Sequence, residues 1–466
     1  AFTLPGVFML NPGAELNVAQ VIAVVLGGVI LGLIFTALIR KYFVVDKELP
    51  YPMGRAAAET LIIGDKGGKK FIALFTSLGL AGLFTFIRDA IPLIFPGKVI
   101  VPATFYNGRM MSYGSFGGIW LSPMLVGMGY IVGPVAVGVW FAGALIGDFG
   151  VLIGGVKLGL WDGVLASAIK SSLGIGLMVG AGIGIIIKGI LPNAKAMIVS
   201  MFRKSAMSGS FISLRWTPVA IVILAAVFTT LCGMGVVASI VTILGVWLAA
   251  SMSAQVVGQS GINPMEIFGI IVLLAVKAVS AVGQTEAFFV AAIVAIACGL
   301  AGDVMNDFKA GHILKSDPKA QWLGECIGGL VGAFVAVGIF YAIISAYGPE
   351  AFGDPELFLA PQAGAVAAMA GAIPHTLSFI IGLAAGCVLY CVNLPVMTLG
   401  LGVYLPFYLS MTAFAGGVLK LLSRKFAPDW DGKGFGLVIA SGFLGGEGVV
   451  GVMIALCQAA AGFAGM

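Results

Sequence analysis

Apolar runs near 20 residues recur along the whole chain, separated by short polar or glycine-rich stretches. That is the length a helix needs to cross roughly 30 Å of hydrocarbon. The pattern predicts spans at about 18–40, 70–87, 118–132, 133–155, 163–190, 216–235, 237–256, 265–282, 284–302, 322–346, 376–394, 396–418 and 434–462. Shorter segments at 52–64 and 361–373 predict half-helices. The fold class is therefore an all-α polytopic membrane protein of about 13 spans plus half-helices. The chain opens Ala1-Phe-Thr-Leu-Pro5, inside an apolar pattern and without a methionine, so further N-terminal spans are expected upstream.

One stretch departs from this pattern more than any other. Gly258-Gln-Ser-Gly-Ile-Asn-Pro-Met-Glu266 places glycine, proline and three hydrogen-bonding side chains between apolar runs. A backbone broken at membrane depth needs protein or water partners, so it usually lines a cavity. Paired broken segments are the sequence pointer to a transporter's binding site. An internal echo predicts such pairing. Gly127-x-Gly129 precedes Ala142-Gly143 by the spacing at which Gly400-x-Gly402 precedes Ala415-Gly416, with Pro123, Pro134, Pro395 and Pro406 around them. Pro52 and Pro361 each open an alanine-rich half-helix upstream of their copy. The expectation is a duplicated architecture in one membrane domain, with an N-terminal half over 1–215 and a C-terminal half over 216–466.

Composition agrees with the pattern. Of 466 residues, 60% are hydrophobic and 10% charged, with a mean hydropathy of +1.10; soluble domains carry about 25% charged residues. The 69 glycines are roughly twice the usual share and suit close helix packing. The net charge of +5 follows from basic loops that set topology. These lie at Arg40 to Lys47 with Arg55 and Lys66 to Lys70, at Lys195 to Arg215, at Lys309 to Lys319 and at Lys420 to Lys425. The acidic loop of Glu350, Asp354 and Glu356 is expected on the opposite side. Basic residues scattered between spans exclude a nucleic-acid partner. The six cysteines lie in apolar context without a CxxC, which predicts free thiols. With His312 and His375 as the only histidines, no metal centre or other cofactor is expected.

Ionisable side chains within spans are functional candidates by default. Glu59 lies in a half-helix, Glu266 follows Asn263-Pro264, and Glu286 lies in Gly283-Gln-Thr-Glu-Ala287. Asp303 and Asp307 share one helix face at a spacing of four. Glu325 begins the next span and Glu447 sits in the last. Glu59, Glu286, Asp303 and Asp307 are the candidates for proton coupling, because a carboxylate in a cavity exchanges protons near neutral pH. Asp148, Asp162 and Asp317 read as caps or ion pairs, and Arg88-Asp89 as an interfacial pair. Tyr51, Gln259, Ser260, Asn263 and Gln284 are candidates for binding a polar cargo, although each could equally repair broken backbone. Lys98 to Tyr106 reads as an extended stretch in an external loop. No nucleophile–base pair is visible, so an enzyme is not expected.

Several motifs carry a family resemblance. They are Phe2-Thr-Leu-Pro5, Glu48-Leu-Pro-Tyr-Pro-Met-Gly54, Gly258 to Phe268, Ala301-Gly-Asp-Val-Met-Asn-Asp-Phe-Lys-Ala-Gly-His312, Ala360-Pro-Gln-Ala363, Gly402-Val-Tyr-Leu-Pro406 and Ser441 to Gly448. In these the chain resembles the oligopeptide transporter (OPT) family, near its prokaryotic and yellow-stripe-like branches. Asn306 departs from it, standing where relatives often have glutamine. The resemblance implies a secondary symporter, generally proton-coupled, for small peptides or metal–chelate complexes. It also implies a multi-pass protein of the inner cell membrane, surrounded by lipid and compatible with a homo-oligomer. A metal–siderophore symporter and a non-transporting membrane scaffold are the alternative readings.

Overall fold

The computed structural model describes every residue except 1–2, 67, 96–97, 197–198, 200–216, 354–359, 372 and 465–466. The basic run before Arg215, the acidic positions 354 and 356, and the junction expected at 215/216 lie outside the described residues. Along the chain the main helices are α1 (Val18–Arg40), α2 (Pro52–Lys66), α3 (Lys69–Thr85), α4 (Pro123–Val132), α5 (Pro134–Ala144), α6 (Gly163–Gly184), α7 (Thr217–Thr230) and α8 (Val236–Ser260). They continue as α9 (Met265–Val279), α10 (Gln284–Leu314), α11 (Pro318–Tyr347), α12 (Pro361–Ala370), α13 (Thr376–Cys391), α14 (Val396–Tyr404), α15 (Phe407–Phe426) and α16 (Phe435–Ala464). Proline opens α2, α4, α5, α11 and α12, where its missing N–H has no intrahelical partner to lose. Among the described residues eight helices are long and apolar enough to cross a membrane.

The boundaries differ from the sequence pattern at three places, each for a local reason. The expected span 396–418 is two helices, because Pro406 has no N–H and holds Leu405 extended at φ −68°, ψ 156°. Residues 118–120 form not helix but strand β2 (Gly118–Trp120), antiparallel to β1 (Thr104–Tyr106), with Phe105 opposite Ile119. The helix expected to end at 302 runs on to Leu314, since no proline interrupts the Asp303–His312 motif before Pro318.

The chain divides into two compact units. Unit 1 comprises Ala1–Gly54, Val179–Pro374 and Cys387–Val392. At its centre lies α10, buried from Phe288 to Ala295 and packed against α1, α8 and α9. Gly28 and Gly32 let α1 approach the backbone of Ile293 and Ala297, leaving no room for a Cβ. The α11 face bearing Leu323, Ile327, Leu330, Val331 and Phe334 is exposed and apolar, as a lipid-facing helix requires.

Unit 2 comprises Arg55–Met178, His375–Gly386 and Asn393–Met466. Its glycine contacts repeat. Gly129 on α4 abuts the Ala413 carbonyl on α15, while Gly402 on α14 abuts the Trp140 carbonyl on α5. Gly143 abuts Leu399, and Gly416 abuts Val126. Every residue in these pairs maps onto its counterpart by one constant sequence offset, so α4 and α5 correspond to α14 and α15. The flanking helices follow: Gly442 on α16 faces Leu74 and Leu78 on α3, as Gly176 on α6 faces Phe379 and Leu383 on α13. Unit 2 thus carries an internal two-fold relation built on close glycine contacts. The half-helices α2 and α12 share a further local feature: the residue before each opening proline, Tyr51 or Ala360, has φ +41°.

Candidate substrate site

Unit 1 contains the break singled out in the sequence, and the break is shorter than the motif. Helix α8 continues through Gly258 and Gln259 to Ser260, whose hydroxyl donates to the Val256 carbonyl at 2.9 Å. Gly261, left-handed at φ +75°, then ends the helix, and α9 begins after Pro264. Asn263 holds the gap closed. Its Nδ2 donates to the carbonyls of Cys298 (2.9 Å) and Gly299 (3.3 Å), and its Oδ1 accepts from Ser253 Oγ at 2.9 Å. Ser253 Oγ also lies 2.8 Å from the Cys298 carbonyl. A polar cluster of this kind satisfies backbone groups that the break would otherwise strand in hydrocarbon.

The Glu48–Gly54 motif closes on the same region. Tyr51 is fully buried; its N–H donates to the Gly258 carbonyl and its hydroxyl to the Ala254 carbonyl, both at 2.9 Å. Burial pushes the Tyr51 phenol well above its ordinary pKa, so it acts as a neutral donor. Glu48 (φ +48°) and Tyr51 (φ +41°) both take left-handed backbone conformations, which are strained for side-chain-bearing residues. Next, the Gly54 N–H donates to Asn306 Oδ1 at 3.1 Å, and Gly54 touches the Asn306 backbone. Two motifs remote in sequence are thereby joined to α10 at the level of Asp303 and Asp307.

Carboxyl groups gather beside that junction. Asp303 is exposed and Asp307 half-buried on one face of α10. The Asp307 side chain meets the Glu325 side chain of α11, so two carboxyl groups face each other at this helix–helix contact. Gln321 also donates its Nε2 to the Asp307 carbonyl at 2.5 Å, tying α11 to this turn.

The remaining candidates are spread over both units. Gln259 and Gln284 are exposed. Glu286 folds over its own helix start, beside Gly283 and Gly233. In unit 2, Glu59 is half-buried, 3.6 Å from Arg55 Nε. Also in unit 2, Glu447 is a structural group, accepting from Arg88 (3.0 Å), Ser122 Oγ (2.9 Å) and Met124 N–H (2.7 Å). Asp148 pairs with Lys170 at 2.8 Å and accepts from Ser115 Oγ, while Asp317 caps α11. Sequence reasoning missed the partnership of Glu325 with Asp307, which only tertiary packing creates. It also read Arg40 as one charge of a topology-setting loop, although Leu38-Ile39-Arg40 keeps it inside an apolar helix.

Comparison with known proteins agrees with this architecture. The family model for OPT oligopeptide transporter protein matches residues 1–458. A Haemophilus influenzae protein named "Putative oligopeptide transporter" is 26% identical, covering 98% of this chain and 84% of the relative. The rice protein named "Probable metal-nicotianamine transporter YSL16" is 28% identical over 33% of this chain and 26% of its own length. The matched model spans nearly the whole chain, and its members are transporters rather than enzymes. The chain belongs to the OPT oligopeptide transporter family.

Proposed function

We propose that this multi-pass membrane protein is a proton-coupled symporter of small oligopeptides in the cell's inner membrane. The observation that carries the reading is the meeting of the Asp307 and Glu325 carboxyl groups beside Asp303 and next to the break, a pair whose repulsion uptake of one proton would relieve. A shared proton at a helix–helix contact can be released when the helices shift, which couples protonation to conformation. Asp303 and Asp307 are then the principal coupling groups, and Glu59 and Glu286 are the further candidates for proton coupling. Gln259, Ser260 and Gln284 offer hydrogen bonds to a peptide, while Tyr51 and Asn263 fix the shape of the break.

A second cargo, a metal–chelate complex, is supported by the likeness to the rice protein and shares the same coupling machinery. The deciding experiment is uptake into proteoliposomes under an inward proton gradient, setting a tripeptide mixture against ferric chelates. Peptide accumulation that collapses with the gradient is expected, together with its loss in Asp307→Asn and Glu325→Gln. Uptake insensitive to the gradient would sink the coupling. No uptake of either cargo, with stoichiometric co-purifying subunits, would favour a scaffold.

A further inference from the structure

Arg40 ends α1, the 23-residue apolar helix packed along α10, and is only 5% exposed. Its Nε has no hydrogen-bond partner, and among the described residues no ion pair includes it. The guanidinium carbon lies 5.1 Å from the centre of the Phe308 ring. Lys309 and His312 stand close by on α10, and Glu48, the carboxylate that acts on His312, makes no ion pair with Arg40.

An unpartnered buried charge can be relieved in two ways, and only one is open to arginine. Glu266 also has a buried oxygen without a partner, but a carboxyl group can take up a proton. A guanidinium is not deprotonated in proteins, so it stays charged and needs an anion. A ring face offsets part of that need and leaves the in-plane N–H donors free. The free Nε edge, together with a neighbouring Nη, is the fork that binds a carboxylate through two parallel hydrogen bonds.

We propose that Arg40 is the receptor for a carboxylate of the transported cargo, bound through Nε–H and one Nη–H. This rests on the transport reading. The Phe308 ring lies against the guanidinium, and Lys309 adds a positive charge at the same end of α10. Asp307 is the residue before Phe308, so a cargo anion seated on Arg40 would lie within one turn of α10 from the Asp307–Glu325 carboxyl pair.

The test uses the detergent-purified full chain, with thermal unfolding followed while acetate replaces chloride at constant sodium concentration. Wild type should show saturable stabilisation by acetate. The apparent affinity should fall at least about ten-fold in Arg40→Gln, the change expected when even one of the two charge-assisted hydrogen bonds is lost. Arg40→Lys, which keeps the charge without the fork, should fall between. Wild type unaffected by acetate, or Arg40→Gln stabilised equally, would overturn the proposal; the wild-type arm decides even if Arg40→Gln does not fold. Stabilisation by phosphatidylglycerol but not acetate, lost in Arg40→Gln, would overturn it in favour of a lipid headgroup. Absence of uptake by wild-type proteoliposomes would count against the transport reading alone, leaving the acetate result to stand or fall by itself.

Discussion

Gly143 and Gly416 are counterparts: the first lies against the Leu399 carbonyl and Val403 N–H, the second against the Val126 carbonyl and Tyr130 N–H. Each contact is carried onto the other by the same sequence offset. Backbones this close leave no space for a Cβ, so glycine is required twice by a single geometric cause.

Alanine at either position should therefore be damaging to a similar degree. We expect Gly143→Ala and Gly416→Ala each to cost about 1–3 kcal/mol, the usual penalty for overpacking. Gly138, on the same helix α5, faces open space. There alanine should be neutral or stabilising by up to about 1 kcal/mol through helix propensity. Thermal midpoints in detergent check all three, and a clear inequality between the first two would argue against the equivalence.

Much of this arrangement was legible before any coordinates. Gly127-x-Gly129 and Gly400-x-Gly402 betray themselves because close approach admits no other residue. Position within the break was less legible. Gln259 and Ser260 look disruptive, yet Ser260 repays its hydroxyl to the Val256 carbonyl and stays helical. Pro406 was hidden by apolar neighbours that continue the hydrophobic run across it. The Asp307–Glu325 pair and the isolation of Arg40 depend on which helix packs beside which, and no local pattern encodes that.

Arg88 and Glu447 form a buried ion pair of unit 2, with side chains 4% and 6% exposed. Arg88 also bonds Asp89 and the Leu121 carbonyl, and Glu447 caps the start of α4 through Ser122 and Met124. Removing Arg88 leaves the buried Glu447 carboxylate without its cation, whereas neutralising Glu447 leaves Arg88 paired with Asp89. Arg88→Met should cost about 3–5 kcal/mol and Glu447→Gln less. The double variant should lose less than the sum, with a coupling of about 0.5–3 kcal/mol. Unfolding by SDS titration gives the cycle; strict additivity would show that the pair does not act as a unit.

Asn263 predicts a chemical signature as well as a stability loss. Its amide satisfies the carbonyls of Cys298 and Gly299, and Cys298 itself is fully buried. Asn263→Ala removes its donors to both carbonyls, leaving Cys298 with the Ser253 hydroxyl, and should cost about 1–3 kcal/mol. It should also let Cys298 react with maleimide faster than in the parent, in a background where Cys298 is the only cysteine. An unchanged labelling rate would mean that Ser253 alone suffices to hold the gap.

Tyr51 and Gly258 offer the sharpest separation of hydrogen bonding from packing. Tyr51→Phe removes only the hydroxyl bond to Ala254 and keeps the backbone bond to Gly258, so a loss of about 0.5–1.5 kcal/mol is expected. Gly258→Ala is different in kind. A Cβ there would stand 2.7 Å from Leu49 Cδ1, 2.9 Å from Leu49 Cβ and 3.0 Å from Tyr51 Cζ. The Glu48–Gly54 segment would have to lift from α8, straining a backbone that is already left-handed at Glu48 and Tyr51. The expected loss is larger, about 1–3 kcal/mol. Leu49→Ala removes the nearest of those atoms and should restore part of the stability lost in Gly258→Ala. Thermal unfolding of the two single variants and the double decides it. A double variant no more stable than Gly258→Ala would mean that the clash lies with the Cβ at position 49 and with Tyr51, not with the outer Leu49 side chain.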